Sequence, residues 1–151
     1  MTRIDFYILS TNDADARIQV VCKLIEKATA RGQRVFVHSD DRAVLSSLDQ
    51  SLWHFRPDRF IAHQLIDDSH SDEESAQNPG SEDLEAVTLS NKAPSRTDAV
   101  LINLSSVVPT FFSRFERTLE VVDQQDSIRL DGRSRYRFYQ ERGYPLQHHN
   151  L

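Results

Sequence analysis

The sequence predicts a three-layer α/β fold, in which a mostly parallel sheet is covered by helices on both faces. Three observations carry this. Runs rich in β-branched and aromatic residues alternate with amphipathic stretches of helix length. Capping residues and glycines punctuate the boundaries between them. The stretch "DAVLINLS" (Asp98 to Ser105) is apolar almost throughout, as a strand buried on both faces must be.

The elements follow in order. "RIDFYIL" (Arg3 to Leu9) is a β-rich run, after which Asn12-Asp13 supplies an N-cap for a helix reaching Arg31 before Gly32. "RVFVHS" (Arg34 to Ser39) is a second strand, and Asp40-Asp41 opens a second helix that ends near Trp53, where Pro57 prevents extension. "RFIAHQ" is a short third strand, "EAVTLS" a fourth and "DAVLINLS" a central fifth. Pro109 to Glu116 is expected to be helical, "TLEVVD" gives a last strand, and a final helix runs from about Asp126 to Arg142, stopped by Gly143 and Pro145. No internal repeat is visible. Alternating strands and helices of this kind build a parallel sheet.

Length and composition bound the function. With 151 residues and 38% hydrophobic content, the chain can bury one substantial core, so residues 1–151 are expected to form a single domain. No run of 18 or more apolar residues occurs, and Met1-Thr2-Arg3 leads straight into a strand-like segment rather than a signal peptide. A cytoplasmic protein with no membrane partner is expected. The one cysteine, Cys22, excludes an internal disulfide, and it shares the apolar helical stripe of Ile18, Val21, Ile25 and Ala28. A packed core thiol is the expectation. Asp67 to Asp83, "DDSHSDEESAQNPGSED", holds seven acidic residues and no Lys or Arg; without them the net charge of −5 becomes +2. This segment lacks aromatic and β-branched residues and reads as a mobile acidic loop.

Catalytic chemistry is hard to find. The first strand-to-helix turn, "LSTNDADAR", has no glycine, no GxxxxGK[ST] and no GxGxxG, and its aspartates repel phosphate. There is no GxSxG elbow, and the six histidines show no HExxH or His-x₃-His spacing. Asp40-Asp41 reads as helix capping, and His148-His149 as polar tail residues. No cofactor, metal or catalytic residue is expected.

The stretch "SRYRFYQERGYPLQHH" (Ser134 to His149) is more distinctive. Residues four apart share a helix face, so Arg129, Arg133 and Arg137 form one basic stripe with Tyr136 and Gln140 beside it. Phe138 is expected to pack inward. Such a stripe suits a partner that presents carboxylates and an apolar or aromatic end; an ordinary solvated basic face is the alternative.

Five segments in order, "DFYIL", "GQRVFVHSDD", "LDQSLWHFRPDRFIAHQL", "DAVLINL" and "RYRFYQERGYPLQHH", resemble the chi subunit of bacterial DNA polymerase III along nearly the whole chain. Two departures stand out: the long acidic loop, and a short link "VVDQQDSIR" into the last helix. The resemblance implies an α/β fold like nucleotide-binding domains without the phosphate loop, no catalysis, and membership of the clamp-loader assembly. It implies binding of the psi subunit on one surface and, on another, of the acidic carboxy-terminal tail of single-stranded DNA-binding protein, which ends in an aromatic residue. By resemblance Arg129, Arg133, Tyr136 and Arg137 match the tail-binding helix. Trp53, Phe55 and Phe60, in "LWHFRPDRFIAHQ", mark the psi-facing region, although Trp53 and Phe60 closing the core is an equal alternative. The competing function is direct nucleic-acid binding or a cryptic nucleotide-dependent activity. A narrow stripe on an acidic protein disfavours strong DNA binding.

Overall fold

A computed structural model describes residues 1–55, 61–66, 86–95 and 99–151. The expected acidic loop, Asp67 to Asp83, and Phe60 lie outside the described residues. Seven strands are found among the described residues: β1 Arg3–Ile8, β2 Val35–His38, β3 His63–Ile66, β4 Val87–Ser90, β5 Val100–Asn103, β6 Arg117–Val122 and β7 Leu146–Asn150. They form one sheet in the order β3-β4-β2-β5-β6-β1-β7, and every pairing is parallel. Among the same described residues three α-helices accompany it: α1 Ala14–Ala30, α2 Arg42–His54 and α3 Asp126–Glu141.

The helix boundaries follow local chemistry. Asp13 caps α1 by accepting the Asp15 N–H at 2.9 Å, and Gly32 at φ +75° ends the turn after it. Asp41 caps α2 in the same way, accepting the Ala43 N–H at 2.9 Å, while Asp40 accepts the Ser106 hydroxyl at 3.2 Å. Of the Asp40-Asp41 pair, expected to cap the helix, Asp41 is the cap, while Asp40 ties the start of α2 to the segment after β5.

Two apolar layers enclose the sheet. On one face α1 and α2 bury Ile18, Val21, Cys22, Ile25, Leu45 and Leu48 against alternate residues of β2, β4, β5 and β6. Each such aliphatic side chain contributes about 1.5–3 kcal/mol of burial. Cys22 sits wholly inside this layer, and burial pushes its thiol up to about 12, so it is no nucleophile. On the other face α3 covers Ile4, Phe6 and Leu101 together with Phe111, Phe112 and Phe115.

Two expectations are corrected. Pro109 to Glu116 is not an α-helix; only Phe112–Arg114 forms a single 3-10 turn. Three phenylalanines must reach the sheet from this short segment, and the i,i+3 spacing of a 3-10 turn places Phe112 and Phe115 on one side. The Thr2 hydroxyl holds the turn by donating to the Phe115 carbonyl at 2.6 Å. The second correction concerns His148 and His149, which are not tail residues but belong to β7, an edge strand parallel to β1. The His149 ring stacks on Tyr7 at 4.6 Å between centroids and lies 3.1 Å from Asp5.

Candidate functional site

The sheet positions α3 by a close approach and a buried polar network. A Cβ on Gly132 would come within 2.9 Å of a Val122 methyl, so only glycine lets the helix sit this low over β6. One turn later Arg135, 3% exposed, donates through Nε to both oxygens of Glu120 at 3.1 Å, and Glu120 itself is fully buried on β6. Asn103 on β5 donates to the same carboxylate at 3.1 Å, and the Tyr139 hydroxyl donates at 2.9 Å. Burial pushes the Glu120 carboxyl above its ordinary value, against the opposing pull of Arg135, Asn103 and Tyr139. Burial and the neighbouring carboxylate likewise push the Tyr139 phenol up. The network locks the rotation of α3 about its own axis, because Arg135 and Tyr139 can reach one carboxylate only in one orientation.

That orientation decides where the arginine stripe lies. Arg135 points toward β6 and β5. Tyr136, one residue further around the helix, packs edge-on against Phe6 of β1 with centroids 5.1 Å apart. The flank beyond Tyr136, carrying Arg133 and Arg137, therefore leans away from β5 toward the β7 edge. Arg133 and Arg137 are exposed and Tyr136 is half-buried. Arg129 shares the flank but is partly withdrawn, since its Nη2 donates to Asp126 at 3.1 Å. The stripe is thus two open guanidiniums and one engaged one. Phe138 packs against Phe112 and Tyr139, as expected, with the Arg142 guanidinium 3.7 Å above its ring.

The fourth arginine of the helix, Arg135, and its partner Glu120 escape a reading of spacing alone. A lone Glu in "TLEVVD" looks like a solvent-facing strand position, and nothing local signals that the last helix and Asn103 of β5 cover it.

Trp53 and Phe55 lie at the other end of the sheet. Trp53 is 50% exposed and its ring packs at 4.6 Å against His63 of β3, the opposite edge strand. His63 in turn lies 3.0 Å from Asp49 on α2. Trp53 does not close the core. Phe55 is half-buried against the α1–α2 layer.

A cleft of about 430 Å³ opens where α1, α2 and α3 begin, at the carboxyl ends of the strands. Parallel sheets commonly bind nucleotides in this place. Here the exposed Asp15, Asp40 and Asp41 line it with Asp131, the Arg17 and Arg135 that also line it are buried, and one N-terminal amide of each of α1 and α2 is already taken, by Asp13 and Asp41. A phosphate would meet carboxylates where it needs amides. Among the described residues no helix is long and apolar enough to cross a membrane.

Comparison with known proteins places this arrangement. The family model described as DNA polymerase III chi subunit, HolC, matches residues 1–147. The chain belongs to the chi subunit family. A DNA polymerase III subunit chi from Pseudomonas aeruginosa is 41% identical over 151 residues, covering 100% of this chain and 98% of the relative. Chi subunits from Haemophilus influenzae and Escherichia coli are 27% and 25% identical, each covering 97% of this chain. Among solved structures, the C-terminal domain of the DEAD-box protein Dbp5 aligns with TM-score 0.71 over 99% of this chain and 91% of that one, at 9% identity. That last likeness concerns the fold alone. The chi fold here is the expected α/β architecture, with every observed pairing in its sheet parallel.

Proposed function

We propose that this chain is a non-catalytic accessory subunit of the replicative DNA polymerase III assembly, joining the clamp loader to the acidic tail of single-stranded DNA-binding protein. The observation that carries this reading is the pair of exposed guanidiniums, Arg133 and Arg137, beside the half-buried ring of Tyr136 on a helix whose rotation is locked. Arginine binds carboxylates bidentately, and a fixed ring beside it gives a terminal phenyl group a surface to pack on. Arg129 adds to the field while it pairs with Asp126. The cleft disfavours the nucleotide-dependent alternative, because its rim is acidic.

The test is calorimetry against a short acidic peptide ending in phenylalanine, run beside single-stranded DNA of matched length. Saturable peptide binding that weakens with salt and drops when the final phenylalanine is removed is the expected result. Binding of the DNA in preference to the peptide overturns it.

The psi subunit is proposed to meet the β3 edge around Trp53 and Phe55, with Phe60, outside the described residues, included on the sequence resemblance alone. Support comes from the half-exposed Trp53 ring, an anchor type that dominates protein interfaces. Trp53→Ala is expected to weaken the psi complex by about tenfold or more while shifting the melting temperature of the isolated chain only slightly. A psi titration and a thermal melt of the same variant check both halves.

A further inference from the structure

We infer that β7 is a docking strand, and that the extended acidic tail proposed above adds to it as an additional edge strand. The inference rests on that tail-binding reading and goes further by assigning the tail's main chain a partner.

The hydrogen-bond register of β7 sets which groups are available. The Ile4 N–H donates to the Pro145 carbonyl at 2.9 Å, and the Leu151 N–H donates to the Ile8 carbonyl at 2.9 Å. In a parallel ladder, alternate residues turn their backbone groups to the same neighbour. Pro145, Gln147, His149 and Leu151 therefore face β1, while the N–H and C=O groups of Leu146, His148 and Asn150 point away from it. Among the described residues no strand lies beyond β7.

Open edges of this kind invite strand addition, and proteins usually guard them with charged residues, proline or a bulge. "LQHHN" has none of these. Tyr136 sits over Phe6 of β1, the strand beside β7, and Arg133 and Arg137 follow it around α3 on the exposed flank away from β5, which is the flank nearer this edge. An occupant of this edge would run beneath two free guanidiniums, so an extended acidic segment suits it and a basic one does not. His148 is level with Phe6, which carries the Tyr136 ring, so a strand added here would pass within reach of both ring and arginines. Main-chain pairing would supply affinity, and alternate side chains specificity.

Two arms test this with the same acidic peptide ending in phenylalanine. His148→Pro removes one outward N–H without touching a bond to β1, and is expected to weaken peptide binding about fivefold. His148→Ala keeps that N–H and should bind like the parent. In the second arm the parent protein meets peptides N-methylated at successive single positions. Alternating strong and absent effects along the peptide support strand addition, and this arm holds even if His148→Pro fails to fold. Parent-like binding of every methylated peptide overturns the strand pairing and leaves the tail-binding reading intact. Failure of the unmodified peptide to bind overturns both.

Discussion

Replacing Arg133 and Arg137 together with alanine is expected to weaken binding of the acidic tail peptide by about thirtyfold, since each partly exposed charge pair contributes on the order of 1 kcal/mol. Both side chains are exposed, so the melting curve should match that of the parent. Each single change should cost severalfold. Arg129→Ala should cost less than either, because its guanidinium is already shared with Asp126. The loss should shrink as salt rises and the parent's own electrostatic advantage is screened. Calorimetry and thermal unfolding on the same preparations decide the matter. A folded double variant that binds as tightly as the parent would put the tail site elsewhere.

The second large effect concerns stability. Glu120→Ala leaves Arg135 buried with its charge uncompensated, which typically costs about 3–5 kcal/mol. For a chain of this length that corresponds to a fall in melting temperature of roughly 6–20 °C. Asn103 and Tyr139 lose their common acceptor at the same time. Glu120→Leu combined with Arg135→Met removes both charges and should recover much of the loss. Tail binding should nevertheless fall in the double variant, because nothing then fixes the rotation of α3 and hence the direction of Arg133 and Arg137. Denaturant unfolding and peptide calorimetry separate the two consequences. If Glu120→Ala melts with the parent, the network does not hold the helix.

Much of this was legible in the sequence because the periodic elements announce themselves. The caps at Asp13 and Asp41 and the apolar "VLIN" strand need only local rules, and the one-sided spacing of Arg133 and Arg137 survives intact. Three features were not legible, each for a physical reason. The β7 strand has one apolar residue, Leu146, and its identity as a strand comes from pairing with β1 at the other end of the chain. The Phe111–Phe115 segment follows Pro109 as a helix would, but its rings are claimed by the sheet and it makes only a single turn. Glu120 reads as a surface residue until α3 and β5 close over it. In each case a contact distant in sequence overrode the local preference.

Asp5 shows what else the β7 pairing does. Its carboxylate accepts from Arg117 Nε on β6 at 2.8 Å and lies 3.1 Å from His149 on β7, so one side chain on β1 ties both neighbours. Burial alone would raise its carboxyl, but these two partners outweigh burial and hold it below the ordinary carboxylate value. The proposed partner surfaces sit at opposite edges of the sheet, six strand spacings or roughly 29 Å apart. Tension between them would run across the strands, a direction in which ladder bonds can peel one after another, whereas along the strands they must shear together. The Arg117–Asp5–His149 chain cross-stitches the two seams nearest β7, where a pulling tail would start the tear, and the Asn103–Glu120 bond stitches the β5–β6 seam behind them.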